Sequence, residues 1–218
     1  MLELKAIKRK WRYQALSGDN ILPLYFARHG KTDWNIARRW QSRTDIPIND
    51  IGRGQASQLA ALIRSQKIVF GQVLCSPLLR ARETAEILIA GIGPVPEIDE
   101  RLTELDFGLF EGRLEDDLRA ELGSTYDEWK KRMYLDPPPG GESIMEVAQR
   151  VKPLLAILLQ SSDHILVVGH QAVNMALKAA MSNCFTIECL ASFQQANDEI
   201  DLWHTSPPKF ISRIRGNG

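Results

Sequence analysis

The sequence has few cysteines, no long apolar run and no excess of either charge. Its three cysteines, at positions 75, 184 and 189, fit neither the spacing of a metal site nor an even set of disulfides. No apolar stretch is long enough to cross a bilayer, and none follows the basic N-terminus as in a secretory signal. Basic and acidic residues number 27 each, so no net field attracts nucleic acid or a membrane surface. These absences predict a cytoplasmic protein that binds neither.

The apolar content is sufficient for one folded domain. Hydrophobic residues make up 44% of the 218-residue chain and charged residues 25%, as in ordinary globular proteins. The N-terminus differs, because five basic residues lie between positions 5 and 12. We interpret residues 1–20 as a basic extension, either solvated or in contact with an anionic surface, and residues 21–218 as one domain.

Apolar strands alternate with amphipathic helices along this domain. Short apolar segments predict strands at residues 21–27, 72–75, 165–169, 199–203 and 210–214. Helical spacing of apolar residues predicts helices at residues 52–66, 77–90, 144–158 and 170–181. Ser76 and Pro77 are typical of an N-cap and a first helical residue, and Pro153 predicts a kink in the third helix. This alternation predicts an α/β fold, a three-layer α/β/α sandwich around a mostly parallel sheet.

A polar stretch with scattered aromatic residues, from about residue 108 to residue 141, interrupts the alternation. It ends in three prolines and two glycines, which favour turns. We predict a small cap insertion of one or two short helices. The cap side chains expected to select the substrate include Tyr126, Trp129, Arg132 and Tyr134.

Polar side chains directly follow three of the predicted strands. Arg28 and His29 follow the first strand, a segment ending in Arg80 follows the second, and His170 follows the third. Ligands bind at the carboxyl ends of parallel strands, so these side chains are expected at one edge of the sheet. Guanidinium groups match phosphate oxygens, a neutral imidazole can attack phosphorus, and a charged imidazole can hold a phosphate oxygen. Together they predict a phosphate site, for which Glu104, flanked by apolar residues, is the candidate proton donor.

Five ordered motifs contain these residues. They are RHGKTDWN at residues 28–35, SPLLRARETA at 76–85, Glu104 with Gly108 and Glu111-Gly112, PGGES at 139–143, and VGHQAV at 168–173. The sequence resembles the histidine phosphatase (phosphoglycerate mutase-like) superfamily in these motifs, over roughly residues 22 to 203.

The resemblance implies a role for each matching residue. His29 would be the nucleophile that forms a phosphohistidine, and Glu104 would be the proton donor that later activates water. The residues expected to form the phosphate pocket are Arg28, Asn35, Arg80 and His170. The resemblance implies no metal and no cofactor, since cations and dipoles supply the stabilisation.

Two departures from the family pattern lie near the expected pocket. Lys31 stands where the family often has an acidic residue, and Ser42 stands where glycine usually follows the residue matching Gln41. Gln41, Ser42 and Gln171 lie in the matching stretches and are candidate substrate-binding residues. The extra positive charge near residues 31–43 either attracts a polyanionic substrate or is exposed to solvent.

The function that the residues favour is hydrolysis of a small phosphorylated metabolite. A mutase must keep water out while an intermediate reorients, and the expected cap is small. Phosphoglycerate mutase-type transfer is the alternative, and a non-catalytic module that binds a phosphorylated ligand is the alternative of another class. A cysteine phosphatase is disfavoured because four residues, rather than five, separate Cys75 from Arg80.

Overall fold

A six-stranded sheet forms the centre of the computed structural model, which describes residues 23–216. The strands are β1 (Pro23–Arg28), β2 (Gln72–Cys75), β3 (Glu97–Ile98), β4 (Ile165–Gly169), β5 (Glu199–Thr205) and β6 (Pro208–Arg215). Their order is β3-β2-β4-β1-β5-β6. The pairs β3–β2, β2–β4 and β4–β1 are parallel, and β5 is antiparallel to both of its neighbours. The predicted mostly parallel sheet is confirmed; the two-residue strand β3 was not predicted.

Helices cover both faces of the sheet. They are α1 (Asp33–Ile36), α2 (Asp50–Ser65), α3 (Leu79–Ile89), α4 (Glu115–Leu122), α5 (Ser124–Arg132), α6 (Ile144–Leu158), α7 (Gln171–Ser182) and α8 (Ile187–Ser192). Side chains of a strand alternate between faces, so Leu24 and Phe26 of β1 pack in one core with α6 and α7. Tyr25 and Ala27 pack in the other core, with α2 and α3. The three-layer α/β/α architecture is therefore confirmed.

The register of the parallel strands aligns their carboxyl ends. Arg28 of β1 pairs with Gly169 of β4, and Cys75 of β2 pairs with Val168 of β4. The residues after these strands consequently lie side by side at one edge of the sheet. The basic residues 1–20, like the first two residues of the predicted strand 21–27, lie outside the described residues.

Helix α3 begins later than the sequence predicts. Leu78, rather than Ser76, is its N-cap, and Leu79, rather than Pro77, is its first residue. The Ser76 hydroxyl instead lies 2.7 Å from Nε2 of His170. The backbone N–H of Leu79 donates to Asp45, a carboxylate 34 positions earlier in the chain. The prediction was wrong because the helix is capped by a distant residue, which local spacing does not reveal.

Two short helices, α4 and α5, form within the predicted cap stretch. Phe110 and Trp129 pack edge to face with ring centroids 4.9 Å apart, and Trp129 also meets Trp40 at 5.6 Å. The cap aromatics thus extend the core that β1, α6 and α7 share. Helix α6 follows, opened by a capping box between Ser143 and Glu146. Pro153 lies inside α6, and its predicted kink stays a prediction.

Two of the three cysteines are paired, contrary to the sequence analysis. Cys184 and Cys189 form a disulfide, with Cα atoms 6.1 Å apart. The Thr186 hydroxyl accepts from the backbone N–H of Cys189 and so turns the chain between the two thiols. This turn brings together cysteines whose spacing suggested no framework. Cys75 is buried and unpaired, and no helix among residues 23–216 is long and apolar enough to cross a membrane.

Candidate active site

His29 lies directly after β1 and is buried, with 3% of its surface exposed. Its Nδ1 is 2.8 Å from the carbonyl oxygen of Gly30, which can only accept a hydrogen bond. The hydrogen therefore sits on Nδ1, and Nε2 carries the lone pair. Burial, followed by the charges of Arg80 and Arg28, holds the pKa of His29 well below its usual value of 6.5. The imidazole is accordingly neutral near pH 7, the form that a nucleophile requires.

Gly30 lets the turn after His29 pack against the start of α2. A Cβ atom at Gly30 would lie 2.7 Å from the carbonyl oxygen of Gly52. The backbone N–H of Gly30 donates to the Thr84 hydroxyl at 2.9 Å. The close approach excludes any side chain at this position and fixes the nucleophile relative to α2 and α3.

Arg28 and Arg80 line a pocket of about 330 Å³ together with His29. Arg80 is fully buried, and its guanidinium donates to the carbonyl oxygens of Thr44 at 2.8 Å and Ser42 at 2.6 Å. Burial lowers the pKa of Arg80 to about 10 and also lowers the pKa of Arg28. Two partly desolvated cations at one pocket are costly without an anion, so their arrangement is suited to binding a phosphate.

His170 is the N-cap residue of α7 and is fully buried. Its ring centroid lies 5.1 Å from that of His29. Nδ1 of His170 is buried without a hydrogen-bond partner among the described residues, although Nε2 meets Ser76. Burial, and then Arg80, holds the pKa of His170 well below 6.5. These surroundings favour the neutral imidazole, whereas the sequence argument expected a charged one.

Glu104 lines the same pocket from the loop between β3 and α4. Its carboxylate accepts from the backbone N–H groups of Leu105 at 2.9 Å, Val173 at 3.2 Å and Ala172 at 3.3 Å. The last two donors are at the N-terminus of α7, whose dipole favours a negative group. The carboxyl group is thereby fixed beside the histidines.

Asn35 and Gln41 both line the pocket and are joined through Thr32. Oδ1 of Asn35 accepts from the Thr32 backbone at 3.1 Å, and Oε1 of Gln41 accepts from the Thr32 hydroxyl at 3.0 Å. With both oxygens engaged, the amide nitrogens are the atoms that can donate to a ligand.

The two other candidate substrate-binding residues, Gln171 and Ser42, differ in whether their side chains can still bind a ligand. Gln171 lines the pocket, and its Oε1 accepts from the backbone N–H of Gln195 at 3.1 Å. Ser42 is fully buried, and its hydroxyl donates to Leu105 at 3.2 Å and accepts from Phe107 at 2.9 Å. The Ser42 hydroxyl therefore holds the loop that carries Glu104, and it has no hydrogen left for a substrate oxygen.

A comparison with protein families identifies the superfamily of this chain. The model of the histidine phosphatase superfamily (branch 1) matches residues 24–209. The chain belongs to this superfamily. Among residues 23–216, no group of three or more His, Cys, Asp or Glu side chains is arranged to hold a metal ion.

Relatives of this histidine phosphatase carry the names of both mutases and phosphatases. It is 35% identical over 156 residues to the "probable phosphoglycerate mutase GpmB" of Proteus mirabilis (strain HI4320), covering 69% of this chain and 70% of that one. It is 36% identical over 168 residues to the protein of the same name from Erwinia tasmaniensis, covering 74% of each chain.

Solved structures that resemble it include a mycobacterial glucosyl-3-phosphoglycerate phosphatase in complex with VO3. The TM-score is 0.77 at 27% identity, over 90% of this chain and 99% of that one. The α-ribazole phosphatase from Shigella flexneri gives a TM-score of 0.72 at 29% identity, over 84% of this chain and 90% of that one.

Of the four cap side chains singled out from the sequence, only Tyr134 lines the pocket of the histidine phosphatase. Tyr126 is 1% exposed in the core, where its ring lies tilted against Trp129 with centroids 5.7 Å apart. Arg132 pairs with Asp136 on the surface. Their aromatic or basic character alone did not show which face of α5 they occupy.

Two residues that support the site were missed by the sequence analysis. The side chain of Asn197 donates to the carbonyl oxygen of His29 at 2.7 Å, and the carbonyl oxygen of Gln195 accepts from Arg28 at 3.1 Å. Both precede β5 in a segment without helix or strand periodicity. The signal available in the sequence was that polar residues, among them Gln195 and Asn197, precede the predicted strand 199–203. Polar residues before a strand are weak evidence for a site.

Proposed function

We propose that this histidine phosphatase hydrolyses phosphomonoesters of small metabolites through a phosphohistidine at His29, with neither metal nor cofactor. The observation that carries the proposal is the neutral, buried His29 beside Arg28 and Arg80 in one pocket with Glu104. A nucleophile, an anion site and a proton donor are the three parts that the reaction needs.

In the first step, Nε2 of His29 attacks phosphorus as the bond to the leaving oxygen breaks. Glu104 transfers its proton to that oxygen, so that an alcohol leaves. Arg28, Arg80, Asn35 and His170 hold the other phosphate oxygens, and one such donor typically lowers the barrier by about 3–4 kcal/mol. A bound phosphate dianion also favours protonation of His170, through the proximity of negative charge.

In the second step, water replaces the alcohol. The Glu104 carboxylate takes a proton from the water as its oxygen attacks phosphorus, and the nitrogen–phosphorus bond breaks. Inorganic phosphate leaves, His29 regains its lone pair, and Glu104 is again protonated. Each group returns to its starting state, so the cycle needs no further reactant.

The lining of the pocket supports a metabolite larger than the phosphate itself. Beyond the arginines, the walls include Trp34, Trp40, Phe107, Met133 and Tyr134. Aromatic walls suit the carbon skeleton of a ring or sugar, as in the phosphorylated compounds after which the solved relatives are named. We also propose that the enzyme acts in the cytoplasm, and fractionation of the cells that produce it tests this. Recovery in a periplasmic or extracellular fraction, where the Cys184–Cys189 disulfide would be stable, would contradict the proposal.

Mutase-type phosphoryl transfer is the second candidate, favoured by the names of the curated relatives. The two activities separate when 3-phosphoglycerate is supplied and both free phosphate and 2-phosphoglycerate are followed. A panel of phosphorylated metabolites is tested in the same way. If the enzyme is a hydrolase, the rate of phosphate release from the best phosphomonoester of the panel exceeds the rate at which the phosphoglycerates interconvert. Faster interconversion than release on every compound would overturn the proposal, and phosphate binding without turnover would indicate the non-catalytic module.

A further inference from the structure

A fully buried lysine lies in α7, away from the pocket. Lys178 is 0% exposed, and its ammonium contacts three acceptors: the Asp201 carboxylate, Oε1 of Gln195 at 3.1 Å and the carbonyl oxygen of Phe193 at 3.3 Å. An ammonium has three hydrogens, so every donor is used. None of these contacts belongs to the chemistry described above.

Gln195 connects this lysine to the active site. Its Oε1 accepts from Lys178 and from Asn174, and its Nε2 donates to the carbonyl oxygens of Phe26 and Glu199. All four hydrogen-bonding positions of the side chain are thereby occupied, which leaves the residue one orientation. The backbone of Gln195 is fixed in turn between β1, α7 and β5.

The backbone carbonyl of Gln195 is the acceptor that holds Arg28. Nη1 of Arg28 donates to it at 3.1 Å, and Nε of Arg28 is buried without a partner among residues 23–216. Among the described residues, this hydrogen bond fixes the guanidinium of Arg28. A displacement of Gln195 would therefore move the guanidinium that binds phosphate. A chain of direct contacts therefore runs from Lys178 through Gln195 to Arg28.

A stabilising role does not account well for the buried charge. Removing an ammonium and a carboxylate from water costs about as much as their attraction returns, so buried pairs contribute little net stability. Asp201 also pairs with Arg213, whose Nη2 lies 3.0 Å from its carboxylate, and so keeps a cation without Lys178. We propose that Lys178 and Gln195 are positioning residues that hold Arg28 in the geometry required for phosphate binding. The proposal rests on the function proposed above.

Replacing Lys178 with methionine tests this directly, because Met keeps the length of the side chain and removes its charge. We expect Lys178→Met to weaken binding of inorganic phosphate, measured by calorimetry on the full chain, by about tenfold. We expect KM for p-nitrophenyl phosphate to rise in parallel. The control is Leu177→Ala, which truncates a fully buried neighbour on the same helix and removes none of the hydrogen bonds of Gln195. It is expected to lower the melting temperature and to leave phosphate affinity within about twofold.

A double-mutant cycle separates positioning from general damage. Arg28→Lys retains a cation but removes the guanidinium Nη1 that donates to the Gln195 carbonyl. If Lys178 acts through Arg28, Lys178→Met should lower phosphate affinity in the wild-type background and change it by less than about twofold in the Arg28→Lys background. Equal losses in both backgrounds would show an independent structural effect.

A pH series provides a readout that a structural role would not change. Burial lowers the pKa of Lys178 to about 8, so the positioning charge is present below that pH and lost above it. The charged groups facing Lys178 are Asp201, Glu199 and Arg213, and both proteins contain them. The ratio of phosphate dissociation constants, Lys178→Met over wild type, should therefore fall from about tenfold near pH 6.5 toward one above about pH 9. Titration of phosphate itself cancels in the ratio.

The outcomes distinguish the two proposals. Unchanged phosphate affinity in Lys178→Met, additive losses in the cycle, or a ratio independent of pH would overturn the positioning role while leaving phosphatase activity intact. A wild-type protein that neither binds phosphate nor turns over p-nitrophenyl phosphate would contradict the proposed function instead.

Discussion

Burial between two arginines determines the protonation state of His29. A histidine in water titrates near pH 6.5, but here desolvation and two guanidinium charges disfavour the imidazolium. His170 experiences the same forces. The protein thus keeps two neutral imidazoles with their ring centroids 5.1 Å apart. Keeping both neutral lowers the stability of the fold at acid pH.

We expect the free energy of unfolding to decrease as the pH falls below about 6.5. The pKa values of His29 and His170 are lower in the folded chain than in the unfolded chain, so the unfolded state binds more protons in this range. Stability is complete above pH 6.5 and is lost toward the folded pKa values, by up to about 1.4 kcal/mol per pH unit for each histidine. Urea unfolding of wild type and His29→Gln between about pH 5 and 7 measures this. Equal slopes in the two proteins would exclude the contribution of His29.

The role of Glu104 as proton donor leads to a dependence on the leaving group. Glu104→Gln keeps the shape of the side chain but cannot supply a proton to an alkyl oxygen. We expect kcat/KM for an alkyl phosphate to fall by about 10²–10⁴, and kcat/KM for p-nitrophenyl phosphate, whose leaving group needs little protonation, to fall much less, because kcat/KM reports the step that forms the phosphohistidine. Equal losses on both substrates would indicate that Glu104 acts in another way.

At the level of elements, the start of α3 shows what local sequence cannot reveal. Residues 72–75 and 165–169 were predicted as strands with their observed bounds, because apolar runs end there in polar residues or glycine. The first residue of α3 was missed, because the Asp45 side chain that accepts from it comes from another part of the chain.

The positions of the histidines and arginines of the site were predictable, because these residues follow strands. Those of Gln195 and Asn197 were not, because their role depends on tertiary contacts.

Because Asp45 accepts from the first residue of α3, replacing Asp45 and replacing Ser76 should have different effects. Asp45→Ala removes the acceptor for the Leu79 backbone and should cost about 1 kcal/mol of stability. Ser76→Ala removes only the acceptor of the Leu78 backbone N–H, which lies before the first helical residue, and should lower stability less than Asp45→Ala does. It should reduce kcat/KM by about tenfold, because it frees the ring of His170. Thermal unfolding and steady-state kinetics on both variants test the distinction. A larger stability loss in Ser76→Ala, with unchanged kinetics, would restore Ser76 as the cap.

At the scale of the whole molecule, the sheet register is what assembles the site. Strands β1, β2 and β4 end together, and α7 begins at that edge with its N-terminus directed at Glu104. The cap helices α4 and α5 close one side and contribute Lys130 and Glu115 to the pocket wall. Residues from positions 28 to 194 thus meet in one pocket.

The central claim is that His29 becomes covalently phosphorylated during turnover. Rapid acid or base quench of the enzyme with a ³²P-labelled phosphomonoester measures it, because phosphohistidine survives base and is lost in acid. The account predicts a base-stable, acid-labile phosphoenzyme in wild type, its accumulation in Glu104→Gln with a good leaving group, and its absence in His29→Ala. Turnover without any trapped phosphoenzyme, or labelling that persists in His29→Ala, would contradict it.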